Sequence, residues 1–241
     1  AGETVRDTYG DFIVDAEGEA HYVEPALLMG PDIDAARKTL RIWADYAESD
    51  GGLIESAHDL NHDGEIQKRL VLIKPDNFRF PSSRPGNIID LFSRSGLRII
   101  GAKIHRMSCG EAEEFYGPVR DILRTKLKGK VGERAAELLS ADLGIDLPDD
   151  LVTELGDRLG PIYGDQQFHQ IIHFMIGCWA DQCPPEQKNQ PGDERCLALV
   201  YAGPDAVNKI RYILGPTDPT KAEPGTVRRE LGRDIMVNAA H

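Results

Sequence analysis

The stretch "KRLVLIKPDNFRFPSSRPGNIIDLFSRSGLRIIGAKIHRM", residues 68–107, decides the fold class. Its opening, "KRLVLIKP" (68–75), is a short apolar run that stops at Pro75, the pattern of a buried strand. "PGNIIDLFSRSG" (85–96) reads as a helix closed by Gly96. "LRIIGAKIHRM" (97–107) reads as a second strand. Then "SCGEAEEFYGPVRDIL" opens on Ser108, with Glu111 at the spacing of a capping box.

The same grammar returns near the other end. "RCLALVYAG" (195–203) reads as a third strand. "PDAVNKIRYILG" reads as a third helix, with Pro204 at an early helical position and Gly215 closing it. A last strand is expected near 236–241. The order is β-α-β-α, extra helices, then β-α-β. It predicts an α+β fold: a ferredoxin-like antiparallel sheet with helices on one face, plus a helical insertion and an N-terminal extension.

Residues 1–66 form that extension, and 67–241 the main domain. The extension holds short polar segments and an amphipathic helix, "DIDAARKTLRIWADYAES". Leu40, Trp43 and Ala47 share one face of it, and Asp32 or Asp34 is the N-cap. Helical periodicity fills about 117–176. "CPPEQKNQPGDE" has none and reads as an exposed loop.

The chain has 241 residues and a net charge of −12. That charge argues against nonspecific binding to nucleic acid or an anionic membrane, since both need excess Lys and Arg. Phosphates can still bind at a local basic cluster. No apolar run approaches the ~18 residues of a transmembrane helix. "AGETVRDTYG" lacks the apolar core of a signal peptide and a starting Met, which suggests a clipped or replaced N-terminus. Four cysteines do not make a disulfide scaffold in a chain of this length, and a reduced cytoplasmic setting is the default.

The chemistry gathers in the last thirty residues. Arg211, Thr217, Arg228, Asn238 and His241 follow one another there, with Pro216, Pro219 and Pro224 stiffening the loop between them. Guanidinium forks match phosphate oxygens bidentately. A hydroxyl and an amide add neutral hydrogen bonds. A histidine that is unprotonated near neutral pH is a nucleophile. Lys74, in "IKPD", could add a cation from the end of the first strand. Taken singly, each has an ordinary reading: a surface histidine, a solvated lysine, a loop arginine paired with Glu223 or Glu230. Their joint spacing favours a phosphate site.

On "LVLIKPD" (70–76), "EFYG" (114–117), "IRYILGPTDPTKAEPGTVR" (210–228) and "NAAH" (238–241), the chain resembles the nucleoside diphosphate kinase family. The resemblance implies a transfer of the γ-phosphate from a nucleoside triphosphate to a nucleoside diphosphate through a phosphohistidine. It makes His241 the nucleophile and Lys74, Tyr116, Arg211, Thr217 and Arg228 the phosphate contacts. Asn238, with Lys74, would reach the sugar hydroxyls. Phe168, with Ile171 beside it, would be the platform on which the base stacks, although Phe168 also reads as a core aromatic. The resemblance further implies Mg²⁺ on the substrate phosphates, nucleoside tri- and diphosphates as partners, and a cytoplasmic homo-oligomer. Against the family, about 117–167 is an insertion.

The chain also departs from the family's pattern. Val237 stands where an arginine usually precedes the asparagine, and Arg229-Glu230-Leu231 replaces Gly-Asp-Phe. The serine, aspartate and ring-orienting glutamate that follow the family's histidine are absent, so the gene product is expected to continue past His241. A non-catalytic nucleotide-binding relative, acting as scaffold or regulator, is the alternative. Two further motifs invite metal readings. "DLNHDGEI" (59–66) starts like a calcium loop, with Asp59, Asn61, Asp63 and Gly64 in place but Leu70 at the last ligand position. His169, His173, Cys178 and Cys183 could hold zinc, although a packed apolar helix explains them as well.

Overall fold

The computed structural model describes residues 4–49 and 65–241. The calcium-like residues 59–64 lie outside these. The chain forms two compact units, Ala1–Leu53 and Ile54–His241. In the first, helix α1 (Val5–Tyr9) precedes a hairpin of strands β1 (Asp11–Val14) and β2 (Ala20–Glu24), which the sequence reading passed over as polar segments. Helix α2 (Ile33–Ser49) follows. Its cap is Asp32, whose carboxylate accepts from the amides of Asp34 and Ala35 at 3.0 and 2.8 Å.

The second unit is built on strands β3 (Ile66–Ile73), β4 (Arg98–His105) and β5 (Cys196–Pro204). The sheet order is β3-β5-β4, antiparallel throughout. Helix α3 (Arg84–Ser93) connects β3 to β4, and β5 runs between those two strands. Helix α7 (Ala206–Leu214) leads from β5 to the tail. The tail bridges the free side of β3 at Ile73↔Ala240. Two split β-α-β units result, which is the ferredoxin-like topology.

Three local expectations need correcting. The last segment is one bridge and not a strand, because Ala239 sits at φ 69 and breaks the extended run. Pro204 ends β5 opposite Ile66, and α7 starts one step later from Asp205, at φ 53. Helix α3 ends at Ser93, short of Gly96, whose φ of 69 turns the chain into β4.

Side chains alternate across the sheet, so β3 and β5 each feed two cores. Val71, Ile73, Leu199 and Tyr201 pack with Ile88, Leu91 and Phe92 of α3, Ile210 and Leu214 of α7, and Val227 of the short helix α8 (Val227–Leu231). The opposite face is covered too. Leu72, Cys196 and Ala198 pack with Ala112 and Tyr116 of α4 (Cys109–Lys126) and Phe168 and Ile172 of α6 (Asp149–Ile176). The Ser108–Glu111 capping box opens α4 as the sequence predicts.

Helices α5 (Lys128–Leu143) and α6 form a hairpin that meets through glycine. A Cβ on Gly156 would lie 2.6 Å from the Lys128 carbonyl oxygen, and one on Gly132 2.5 Å from that of Val152. Backbone cannot yield as a side chain does. Gly156→Ala should therefore lower unfolding free energy by about 2 kcal/mol. Gly129→Ala, which meets nothing within 4 Å, should raise it by up to about 1 kcal/mol through helix propensity. Urea denaturation of the two variants checks this contrast.

Candidate active site

The tail is what brings the site together. Residues Asn238–His241 lie along β3, and the Leu72 amide donates to the His241 carbonyl at 2.8 Å while the His241 amide donates to Leu72 at 2.9 Å. The Lys74 amide donates to Ala239 at 2.9 Å. The bend at Ala239 lets Asn238 and His241 serve the same neighbourhood despite their spacing along the chain. Asn77 holds that bend. It is buried, and its amide donates to the carbonyls of Ala239 at 2.8 Å and Lys74 at 3.1 Å. Its own oxygen accepts from Arg84 Nε at 3.1 Å.

Beside His241 opens a cavity of about 680 Å³. Arg211, Thr217, Arg228 and His241 line it, so four of the residues singled out from sequence converge there. Arg211 is exposed on α7, and among the described residues no hydrogen bond or ion pair holds its guanidinium. Thr217 lies exposed in the loop that follows. Arg228, on α8, is buried at 6 % exposure. Its Nη1 donates to Gly215 at 2.8 Å and its Nη2 to Ala240 at 3.2 Å. Its buried Nε has no partner. Burial lowers the Arg228 pKa to about 10, which leaves the group charged at neutral pH.

Lys74 and Asn238 form a second layer. Neither lines the cavity, and both are buried. Lys74 Nζ donates to Asn238 Oδ1 at 2.9 Å and to the Met236 carbonyl at 2.5 Å, and lies 4.7 Å from the centre of the Phe174 ring. Burial, more than any neighbour, lowers its pKa to about 8; Arg228 adds to this, and Asp76 and Asp234 oppose it. Asp76 is itself raised by burial, with Lys74 and Arg84 pulling the other way. The Asn238 amide is spent on Ile235 at 2.8 Å and Thr217 at 3.3 Å. It fixes the cavity's loop, and the direct sugar contact implied by the resemblance is not available in this arrangement.

Two expectations fail on placement. Phe168 is 2 % exposed in the core of α6, with Arg120 over its ring at 5.4 Å, and Ile171 is half-buried against the same cluster. Neither lines the cavity, so neither presents a platform to it. Tyr116 is also buried, but its ring centre is 5.8 Å from that of His241. Burial pushes the Tyr116 hydroxyl well above its ordinary pKa.

Sequence reasoning missed Phe115, Arg69 and Tyr212, which line the cavity, and Asn77, which holds the tail. A signal existed for Phe115. Ala112, Tyr116, Val119 and Leu123 share the buried phase of α4, and Phe115 falls one step off it, at the edge.

His241 is exposed as a residue, but the packing around its ring lowers the pKa from 6.5 to about 4, ahead of the contributions of Arg228, Lys74 and Arg69. The imidazole is therefore neutral at physiological pH. The unfolded chain takes this proton below about 6.5 and the folded one not until about 4, so the group costs stability as pH falls through that window.

The cavity lining carries one carboxylate, Glu223, and no group of three His, Cys, Asp or Glu fit for a metal occurs among the described residues. Magnesium fits this lining only as an ion held by substrate phosphates and water. The zinc motif is partly used otherwise, since the His173 ring stacks on Trp179 at 4.2 Å. No described helix is long and apolar enough to cross a membrane.

The nucleoside diphosphate kinase family model matches residues 189–241. Similar curated proteins include "Nucleoside diphosphate kinase 2" of Protochlamydia amoebophila, 26% identical over 73% of this chain and 80% of its own length. The nucleoside diphosphate kinase of Thiobacillus denitrificans is 27% identical over 73% of this chain and 81% of its own length. Similar solved structures include the Halobacterium salinarum nucleoside diphosphate kinase in complex with CDP, 20% identical over 73% of this chain and 76% of that one, at a TM-score of 0.44. Another is the enzyme of Pyrobaculum aerophilum, 25% identical over 73% and 87%, at a TM-score of 0.43.

Asn77→Ala should remove the side-chain donor from the Ala239 carbonyl, which then keeps only the Lys74 amide, and should take the Oδ1 acceptor from the half-buried Arg84 Nε. An unfolding cost of about 1–3 kcal/mol is expected, measured as a lower urea midpoint at constant slope.

Proposed function

We propose that this chain, a relative of the nucleoside diphosphate kinases, is a phosphotransferase that passes the γ-phosphate of a nucleoside triphosphate to a nucleoside diphosphate through His241. The observation that carries the reading is the convergence of a neutral imidazole with Arg211, Thr217 and Arg228 on one cavity. A neutral ring nitrogen holds a free lone pair for attack on phosphorus. The N–P bond forms as the bond to the β-phosphate oxygen breaks, and the nucleoside diphosphate leaves. An acceptor diphosphate then takes the phosphoryl group by the reverse sequence. Arg211 and Arg228 face the charge that spreads over the transferring group, and Thr217 adds a hydroxyl donor. Lys74 contributes charge from behind and holds the tail through Asn238. Magnesium, when carried on the phosphates, supplies charge neutralisation. A cytoplasmic homo-oligomer goes with this reading. So does a domain spanning 67–241, with an insertion at about 117–167 that runs from the second half of α4 through α5 into α6.

A binding-only relative is the second reading. Among the described residues no hydrogen bond reaches either ring nitrogen of His241, which leaves the nucleophile without the polar support that usually orients it.

Incubation with γ-labelled ATP and no acceptor should give acid-labile, base-stable label on His241, and double-reciprocal plots should be parallel. His241→Gln should bind nucleotide and take no label. Arg211→Ala should cut transfer by about 10²-fold; unchanged activity would remove Arg211 from the cradle. ATP, GTP, CTP and UTP should serve within about tenfold of one another if a stacking contact holds the base. Because the label is acid-labile, the initial rate of capture is read after quenching into base; it should hold steady from neutral pH down to about 5 and fall as His241 protonates near 4.

A further inference from the structure

The His241 imidazole is touched by two aromatic rings from neighbouring positions on α4. The Phe115 ring centre lies 5.9 Å away at 68°, and the Tyr116 ring centre 5.8 Å away at 66°. The two aromatic rings also meet one another edge-on, at 4.9 Å and 78°. Consecutive helical side chains point about 100° apart, so an imidazole that touches both sits over the helix edge between them. Edge-to-face contact is directional, because a ring's positive rim prefers another ring's negative face. Two such contacts from two directions fix the plane of the third ring.

Tyr116 is 4 % exposed and set in the core of α4 and α6, so it cannot drift. Phe115 is 37 % exposed and forms part of the cavity wall, beside the imidazole. No hydrogen bond among the described residues competes for the ring's orientation.

We propose that Phe115 and Tyr116 are positioning residues that clamp the His241 imidazole edge-on and set its orientation by packing where a hydrogen bond would otherwise do so. The catalytic consequence rests on His241 being the nucleophile; the clamp itself does not. The clamp leaves both ring nitrogens without a protein partner, as attack on phosphorus requires at one of them. The charged groups around the ring stay in place in the variants below. They are Arg69 and Lys74 from β3 and its end, and Arg228 from α8, with Arg211 and Glu223 in the same cavity wall.

The test is a ¹³C-histidine NMR titration of the whole chain, with the His241 resonance assigned by its loss in His241→Gln. Phe115→Ala should move the titration midpoint upward by about one pH unit or more, toward the ordinary histidine value. Phe115→Tyr and Tyr116→Phe keep the rings and should titrate with the parent. In single-turnover labelling, Phe115→Ala should slow phosphoryl capture about tenfold through lost orientation, with nucleotide affinity by calorimetry within about twofold. An unshifted midpoint in Phe115→Ala overturns the clamp. So does a large loss of nucleotide affinity with unchanged titration, which would make Phe115 a base platform. If the parent chain takes no label, the kinase reading fails, and the titration still decides the clamp.

Discussion

The site depends on the docking of four residues, Asn238–His241, along the outer side of β3. The reciprocal amide–carbonyl pair between Leu72 and His241 fixes the register. Lys74 and Asn77 then hold the Ala239 bend from beneath, one through its amide and the other through its side chain. A left-handed alanine is strained by about 1–2 kcal/mol, and it persists because buried hydrogen bonds over-determine it. Without the bend the tail would continue as a strand, and Asn238 would no longer reach both Lys74 and the Thr217 loop.

Electrostatics follow from that docking. Arg228 and Lys74 are both buried and both remain cationic at neutral pH, while Glu223 is the only acidic residue in the cavity wall among the described residues. Burying a charge is costly unless something compensates it. Carbonyl oxygens do part of this: Gly215 and Ala240 for Arg228, Met236 for Lys74. The unpartnered Arg228 Nε marks the remainder, and an anion in the cavity would complete it. After desolvation, the same cations lower the His241 pKa further, so the features that suit the cavity to phosphate also help keep the imidazole unprotonated.

Much of this was legible in the sequence, for identifiable reasons. The strands β3, β4 and β5 are runs rich in apolar residues bounded by proline, glycine or charge; β3 and β5 carry buried side chains on both faces, while β4 buries Ile100 and leaves most of its length exposed. The capping box at Ser108 is a local device, read from spacing alone. The convergence of Arg211, Thr217, Arg228 and His241 was legible because they sit close in sequence on a proline-stiffened segment. Phe168 was misplaced because an aromatic in an apolar helix gives no sign of which face opens to a cavity and which to core. Asn77 was missed because its role is long-range: nothing in "KPDNF" announces a partner at Ala239. The β1–β2 hairpin was passed over because its strands are short and, where described, exposed, so no burial pattern marks them.

The most direct test of the central claim is mass-spectrometric mapping of the phosphoryl group after incubation with nucleoside triphosphate and no acceptor, under conditions that preserve phosphohistidine. A single modified histidine, His241, is expected, discharged on adding nucleoside diphosphate. Tight nucleotide binding with no phosphoryl group on His241, or one stably held on another residue, would contradict it.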